Sequence, residues 1–573
     1  MYILGINAAW HDSAACLMRD GDVIAAAEEE RFTQVKHHKV TKPETSYALP
    51  FHAIDYCLGA AGITLTQVDH VAYAMDPLIL LEGRTRTPRF ELPSNRPTLN
   101  TPPGYDAWET IFMHGVLSAP RFLLQDVPYH LMPRFEIESP KHRWEFHFVE
   151  HHIAHAASAF LPSPFDRAAI LCLDGAGEKV TTLMGAGRGT DIEKLQEVKM
   201  PHSLGKFYEM VTWYLGFLPS SDEYKVMALA SYGKPRYADQ FRTLVRFLGD
   251  GRFEIGPVYE VLEKVCAPRR ERREPFETRH YDIAASLQTV LEEACLNLAG
   301  WLHERTGEKD LCMAGGVALN CVMNSRLVRE SRFERIWVQP AAGDAGAAMG
   351  AAMWLWTRKG GANGGRWRMH DAYLGPEYDD KVIGGVLKHG QLPYRHCEDI
   401  AGAAAECIAQ GKVVGWFQGR MEFGPRALGA RSILATPADP GMVERLNQLK
   451  DREDFRPVAP AVLEEAAADY FENCGDAPFM LFVYRVRPDK AALVPAIRHV
   501  DGTARVQTVS AARAPLFHRV ISRFQDITGL PVVVNTSFNT RGRPIVCTPR
   551  DALECFYTSP IDALAIGSYL LTK

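Results

Sequence analysis

The chain has 573 residues, 47% hydrophobic and 23% charged, with a formal net charge of −5. That length exceeds what one hydrophobic core organises, so two or more domains are expected, and the composition excludes a disordered or fibrous chain. The slight acidity disfavours broad binding to nucleic acid or membrane surfaces while leaving room for a local basic pocket; with no basic leader, no apolar run of ~18–20 residues and no CxxC pair among twelve cysteines, a cytoplasmic protein in a reducing compartment is expected.

Residues 2–7 (YILGIN) read as a buried strand. HDSA follows, and its His11 and Asp12 can pair a base of near-neutral pKa with a carboxylate that orients it, or simply close a turn. Residues 14–19 and 23–28 flank Asp20-Gly21-Asp22, a hairpin signal. Lys36, His37 and His38 come after EEERF and suit an acceptor contact or a polar loop equally. Residues 76–145, rich in Pro, Arg and aromatics, read as an irregular insertion or lid, or equally as a surface elaboration with no chemistry.

EHHIAHAASAF (150–160) sets His151 and His155 four apart, on one helix face, a spacing that suits two ligands of one ion. No Glu stands between them, which excludes the HExxH of a zinc protease. AAILCLD (168–174) and VTTLMGA (180–186) repeat the strand-turn-strand theme of the N-terminus, as in the duplicated α/β unit of actin-like ATPases. Asp174 and Asp344, each in a glycine-flanked turn, add two oxygens to the two histidines. The mixed set suits iron(II), manganese or zinc alike; two ordinary helix histidines are the alternative.

Gly175 and Gly177, Gly315 and Gly316, and Gly343 and Gly346 follow apolar runs and can bring backbone N–H groups to phosphate oxygens. Asn320 and Asn324 suit a ribose or base as well as a cap or turn. Residues 281–304 predict a helix. KGGANGG (359–365) is the best linker, which puts the main boundary at roughly 360–375.

Beyond it, Arg420, Arg426, Arg431, Lys450, Arg452 and Arg456 lie among Gly, Pro and apolar residues. Arginine forks match phosphate and carboxylate bidentately, so this context predicts a folded anion pocket. The alternative is a set of surface charges paired with Glu422, Asp451, Glu453 and Asp454. DGTARVQTV and VVVNTSFNTRGRP add Arg505, Asn535, Ser537, Asn539 and Arg543.

Taken in order, HDSA, EEERF, HHxxHAxSAF, LDGAGE, EYKVMALASYG, MAGGVALNCVMN, GDAGAAMGAA, GRMEFGPRALGARSI, FRPVAP and VVVNTSFN resemble the O-carbamoyltransferases of the NodU/CmcH/TobZ type, from residue 3 to beyond 545. The resemblance implies a duplicated actin-like (ASKHA, TsaD-like) α/β domain over 1–365 and a YrdC-like α/β domain over 366–573. It implies that carbamoyl phosphate and ATP with Mg²⁺ form carbamoyl adenylate in the second domain, and that the carbamoyl group moves to an acceptor hydroxyl in the first, beside Fe(II) or another divalent metal. On this reading His151, His155, Asp174 and Asp344 hold the metal. Arg426, Lys450, Arg452, Arg456, Arg505, Asn535 and Ser537 bind carbamoyl phosphate and ATP, with Arg426, Lys450 and Arg505 counted as catalytic. Gly175, Gly177, Lys206, Gly315, Gly316, Asn320 and Gly343 form the N-terminal nucleotide set. His11 contacts and activates the acceptor, with Asp12 and Lys36 nearby. ALASYG replaces the family's more usual GLAPYG, and 76–145 matches no motif, so the acceptor stays open. The expected partner is a hydroxylated natural product such as an antibiotic, with no nucleic acid, no membrane and a homodimer as default. The rival readings are a tRNA threonylcarbamoyl transferase, a sugar kinase or chaperone-type ATPase, and a non-catalytic actin-like nucleotide-binding protein.

Overall fold

The computed structural model describes residues 1–8, 11–38, 49–81, 116–117, 119–120, 123, 144–361, 365–540 and 542–573. The insertion expected at 76–145 lies for the most part outside the described residues, as does the middle of the expected linker. The chain forms two compact units: Met1–Met200 with Cys312–Gly316 and Ala341–Arg368, and Pro201–Leu311 with Val317–Pro340 and Met369–Lys573.

In the first unit, β1 (Tyr2–Asn7), β2 (Ala14–Arg19), β3 (Asp22–Glu28), β4 (His70–Tyr73) and β5 (Glu145–Phe148) form one sheet in the order β3-β2-β1-β4-β5. The pairings β1–β2 and β2–β3 are antiparallel, whereas β1–β4 and β4–β5 are parallel. Arg19 pairs with Asp22 across a two-residue loop, and Asp20 and Gly21 both take positive φ, the backbone that a tight hairpin requires. β1 is apolar almost throughout because both faces are covered. Leu4 and Ile6 meet Ala53, Ile54 and Cys57 of the helix Phe51–Ala60. On the other face Gly5 lies so close to the helix Asp344–Arg358 that a Cβ there would stand 2.0 Å from the Ala348 carbonyl oxygen.

β6 (Arg167–Leu173), β7 (Val180–Arg188) and β8 (Asp191–Lys199) form a second antiparallel ladder. The strand Asp310–Ala314 lies on the other side of β6. The order in which strands flank β6 thus repeats the order around β1, the duplicated α/β pattern expected from the sequence.

The second unit is also mixed α/β. The expected helix spans Thr278–Thr306 and buries Ile283, Leu287, Val290, Leu291, Ala294 and Leu298 at three- and four-residue spacing. Its main sheet has eight strands, with Val414–Phe417 between the parallel Ala563–Ile566 and the antiparallel Arg431–Ala435. Val532–Ser537 pairs antiparallel with both Arg431–Ala435 and Ala459–Leu463. Apolar clusters cover both faces, one around Phe417, Leu446 and Val534, the other around Trp416, Ile521 and Val533.

Candidate active site

In the first unit, His151 and His155 lie on the helix His151–Phe160, Asp174 follows β6, and Asp344 opens the helix Asp344–Arg358. All four side chains are buried and their ligand atoms fall within 4.8 Å of one another. The two Nε2 atoms are 3.1 Å apart. His151 Nε2 is 3.6 Å from Asp174 Oδ2 and from Asp344 Oδ1, and His155 Nε2 is 4.0 and 3.6 Å from the same atoms. Ligands ~2.0–2.2 Å from one ion stand ~3.0–3.6 Å apart, so the donor set fits a single divalent cation. His151 Nδ1–H donates to the Ala74 carbonyl at 3.1 Å, which leaves the Nε2 lone pair turned to the cluster. Asp174 Oδ1 accepts the Gly316 N–H at 2.9 Å, leaving Oδ2 for the histidines.

Burial opposes charge on His151, Asp174 and Asp344, and these groups overcome it through their neighbours. Burial alone would lower His151, but Asp344 and Asp174 hold it well above its ordinary value. Against the same burial, the histidines hold Asp174 well below the usual carboxylate range, and His11 and His151 bring Asp344 down to about 2.

Small residues make this approach possible. A Cβ on Gly350 would lie 1.8 Å from the Ala154 carbonyl oxygen, so the two ligand-bearing helices touch backbone to backbone. Gly315 has φ +90° and a Cβ there would meet the Leu173 carbonyl oxygen at 2.2 Å, so glycine alone fits beside the end of β6.

His11 and Asp12 stand beside this cluster. His11 Nδ1 lies 2.9 Å from Asp12 Oδ2 and 3.8 Å from Asp344 Oδ2. Asp12 Oδ1 binds His37 Nδ1 at 2.7 Å, and the Asp12 N–H donates to the His37 carbonyl at 3.0 Å. Asp12 and His37 both take positive φ, a conformation held by these bonds. Burial would raise Asp12, yet His37 and His11 keep it well below the usual range. The Asp12 carboxylate accepts from His11 Nδ1 and so orients the ring. Lys36 is half-buried at the start of the turn Lys36–His38 that carries His37.

In the second unit the cations of the C-terminal region divide into two kinds. Arg431 is fully buried, its guanidinium donating to the Gln418, Gly419, Ala430 and Pro376 carbonyls and lying 3.7 Å from the Phe417 ring centroid. Arg420 likewise donates to the Leu374 and Gly375 carbonyls. These two secure the fold. Arg426, Arg452 and Arg505 form no ion pair among the described residues, and Arg426 Nε, Arg452 Nη2 and Arg505 Nε are buried with no hydrogen-bond partner. Arg456 reaches Glu453 only at 3.7 Å and lies over the Tyr224 ring, 4.8 Å from its centroid. Burial followed by Arg505 brings Arg426 down to about 9; burial followed by Arg456 and Arg505 does the same to Arg452. A guanidinium keeps its proton at neutral pH, so these shifts record the cost of burial first and mutual repulsion second, and a bound anion would offset both.

Lys450 is buried, and its ammonium donates to the Ser537 carbonyl at 2.5 Å and to Asn539 Oδ1 at 2.6 Å. It ties down the end of the strand that carries Asn535 and Ser537. Asn535 donates to Gln507 Oε1 at 2.8 Å and leaves its own Oδ1 buried without a partner.

The sequence matches the model "Carbamoyltransferase N-terminus" over residues 2–353 and "Carbamoyltransferase C-terminus" over residues 405–573. The chain belongs to the carbamoyltransferase family. It is 41% identical to an uncharacterized protein of Synechocystis sp. over 100% of its own length and 97% of the relative's. It is 40% identical to the nodulation protein NolNO of Sinorhizobium fredii over 99% of its own length and 80% of that protein's. Among solved structures, HypF in its phosphate- and nucleotide-bound form overlaps 64% of this chain and 56% of its own at 14% identity and a TM-score of 0.34, too low to carry weight below.

The residues expected to bind nucleotide in this carbamoyltransferase fall into both units. Gly175, Gly177, Gly315, Gly316 and Gly343 belong to the first, Lys206 and Asn320 to the second. Gly177 packs on His152, whose Nδ1 would stand 2.6 Å from an added Cβ, and Gly343 is the N-cap of the Asp344 helix. Lys206 pairs with Glu209 at 2.6 Å. Asn320 caps the helix Cys321–Glu330 and exchanges hydrogen bonds with Gln288, the capping role that its sequence context allowed.

Four residues were not singled out from the sequence. Glu178 Oε1 accepts the backbone N–H groups of His151 and Asp76 at 2.9 and 2.7 Å, placing a carboxylate at the start of the histidine helix, where a negative charge is favourable. Its place at the end of LDGAGE was the only signal. Tyr224 flanks Arg456 as described, and the neighbouring Lys225 pairs with Glu453 at 2.9 Å. His499, pushed down to about 4 by burial, with Arg505 adding to it against Asp501, keeps a neutral ring beside that arginine.

Proposed function

We propose that this carbamoyltransferase works in two steps at the two clusters. Its N-terminal part, residues 1–365, is read as an actin-like, TsaD-like domain, and residues 366–573 as a YrdC-like domain. At the arginine cluster carbamoyl phosphate, ATP and one water yield carbamoyl adenylate: water takes the phosphoryl group off as phosphate, and the carbamate oxygen displaces pyrophosphate from the α-phosphorus of ATP. Arg426, Arg452, Arg456 and Arg505 offset the charge of the phosphates, a stabilisation that grows as charge concentrates on the leaving group. Asn535 Oδ1 offers an acceptor to the carbamoyl amide, and Lys450 holds the strand end that aims it.

The second step moves the carbamoyl group to an acceptor hydroxyl beside His11, with release of AMP. His11 Nε2 takes the hydroxyl proton, while Asp12 steadies the ring and the imidazolium that forms. His151, His155, Asp174 and Asp344 would hold a divalent cation, iron(II) on the family resemblance, which when bound supplies Lewis acidity for phosphate and carbonyl oxygens. The acceptor is read as a hydroxylated natural product, an antibiotic or related secondary metabolite. An oligosaccharide is a further candidate on the family resemblance.

The observation that carries this reading is that Arg426, Arg452 and Arg505 each keep a buried nitrogen with no hydrogen-bond partner and form no ion pair among the described residues, an arrangement that a small polyanionic substrate completes. The test is incubation with ATP, Mg²⁺, carbamoyl phosphate and a panel of hydroxylated metabolites and oligosaccharides, read by mass spectrometry. One added carbamoyl group with matching AMP supports the reading, and carbamoylation without AMP refutes the adenylate. The variant His11→Asn should slow transfer by ~10²-fold or more while pyrophosphate release persists; unchanged transfer would remove His11 from its role.

A further inference from the structure

A second cluster of metal-ligating side chains lies on the first sheet. His70 opens β4 and is the cross-strand partner of Glu145, which opens β5. His147 lies two residues beyond Glu145 and so shares its face of the strand. His70 Nδ1 and His147 Nε2 are 3.3 Å apart, and Glu145 Oε2 lies 3.6 Å from the first and 3.5 Å from the second. The three donor atoms thus form a nearly equilateral triangle, with edges close to the ~3.0–3.6 Å of ligands that share one ion. The alternate residues Trp144, Phe146 and Phe148 pack into the apolar core, so the backbone that carries the donors is fixed from behind.

Lys359, the C-cap residue of the helix Asp344–Arg358, reaches Glu145 Oε2 with its ammonium at 2.8 Å. A cation therefore already sits at this carboxylate, beside a helix C-terminus whose dipole favours positive charge.

We propose that His70, Glu145 and His147 form a second divalent-metal site, a two-nitrogen, one-oxygen triad suited to zinc or a similar borderline ion. The triad is distinct from the His151 cluster, which contributes none of its donors. The ion competes with Lys359 for Glu145 Oε2. It clamps the start of β5 to β4, and β5, among the described residues an edge strand of four residues, leads within two residues into the histidine helix. The clamp gives β5 a staple that its short hydrogen-bond ladder does not supply.

The experiment uses the full-length protein, stripped by chelation and dialysed against buffered zinc, with bound zinc counted by mass spectrometry. The wild type should hold one equivalent more than either His147→Gln or His70→Gln, whereas Asp344→Asn should lose a different equivalent and leave this one. Lys359→Met removes the competing ammonium and should tighten the second equivalent by about threefold or more, a gain that misfolding cannot produce. Unchanged zinc counts in both histidine variants, or unchanged affinity in Lys359→Met, would overturn the proposal.

Discussion

The substitution Gly350→Ala tests how the buried cluster is held together. The added methyl group would lie 1.8 Å from the Ala154 carbonyl oxygen and 2.8 Å from the Ser158 nitrogen. Ordinary contact begins near 3.4 Å, so the helices must separate by about 1.6 Å or shear past each other. Overpacking of this kind costs ~1–3 kcal/mol. The chemical consequence is larger. Asp344 is 3.6 Å from each ligand histidine, and a displacement of that size opens both separations to about 5 Å, beyond what one ion spans. Metal affinity should fall by at least about tenfold, measured by titration of the stripped protein. Ala351→Gly is the control: Ala351 is fully buried on the same helix, and its loss costs ~1 kcal/mol of helix propensity without forcing the helices apart. That variant should lose stability but keep the ion. Wild-type metal affinity in Gly350→Ala would refute the idea that the close crossing builds the site.

Glu178→Gln retains an acceptor for the His151 N–H but removes the charge at the helix start; it should destabilise by ~0.3–1 kcal/mol in denaturant melts, with a severalfold loss of metal affinity. Asp12 is depressed below its usual 3.8 by His37 and His11 against burial. It therefore contributes stability that is full above pH 3.8 and is lost as pH falls through its folded value; the stability gap between wild type and Asp12→Asn should be constant near neutrality and close in acid. Tyr224→Leu removes the ring under Arg456, and should raise the KM for carbamoyl phosphate or ATP severalfold in a pyrophosphate-release assay while leaving metal binding unchanged.

Much of this was legible in the chain because local chemistry dictated it. The Asp20-Gly21 turn needs positive φ, and the apolar spacing of 281–304 has no stable partner but a helix. His151 and His155 lie on one helix face whatever the fold, and Asp174 and Asp344 sit at element ends, where side chains of an α/β structure converge. The arginines show where such reading stops. Arg426 and Arg431 occupy similar contexts five residues apart, yet Arg431 is enclosed by carbonyls and an aromatic ring while Arg426 keeps an unpartnered nitrogen. Only the packing around each residue separates them. Tyr224 reaches its arginine from more than two hundred positions away, and Glu178 acts through a helix it does not belong to; neither relation leaves a mark in spacing. The grouping of residues 201–311 with 369–573 in one compact unit is likewise set by long-range contacts rather than by a change in composition.

Pyrophosphate release from ATP, dependent on carbamoyl phosphate and measured without any acceptor, separates the two steps most directly. Wild type and Asp344→Asn should both release it, because the metal cluster acts only afterwards, and Arg505→Ala should lose it by ~10²-fold or more. Full release by Arg505→Ala, or its abolition in a folded Asp344→Asn protein, would contradict the assignment of activation to the arginines and of transfer to the histidine–aspartate cluster.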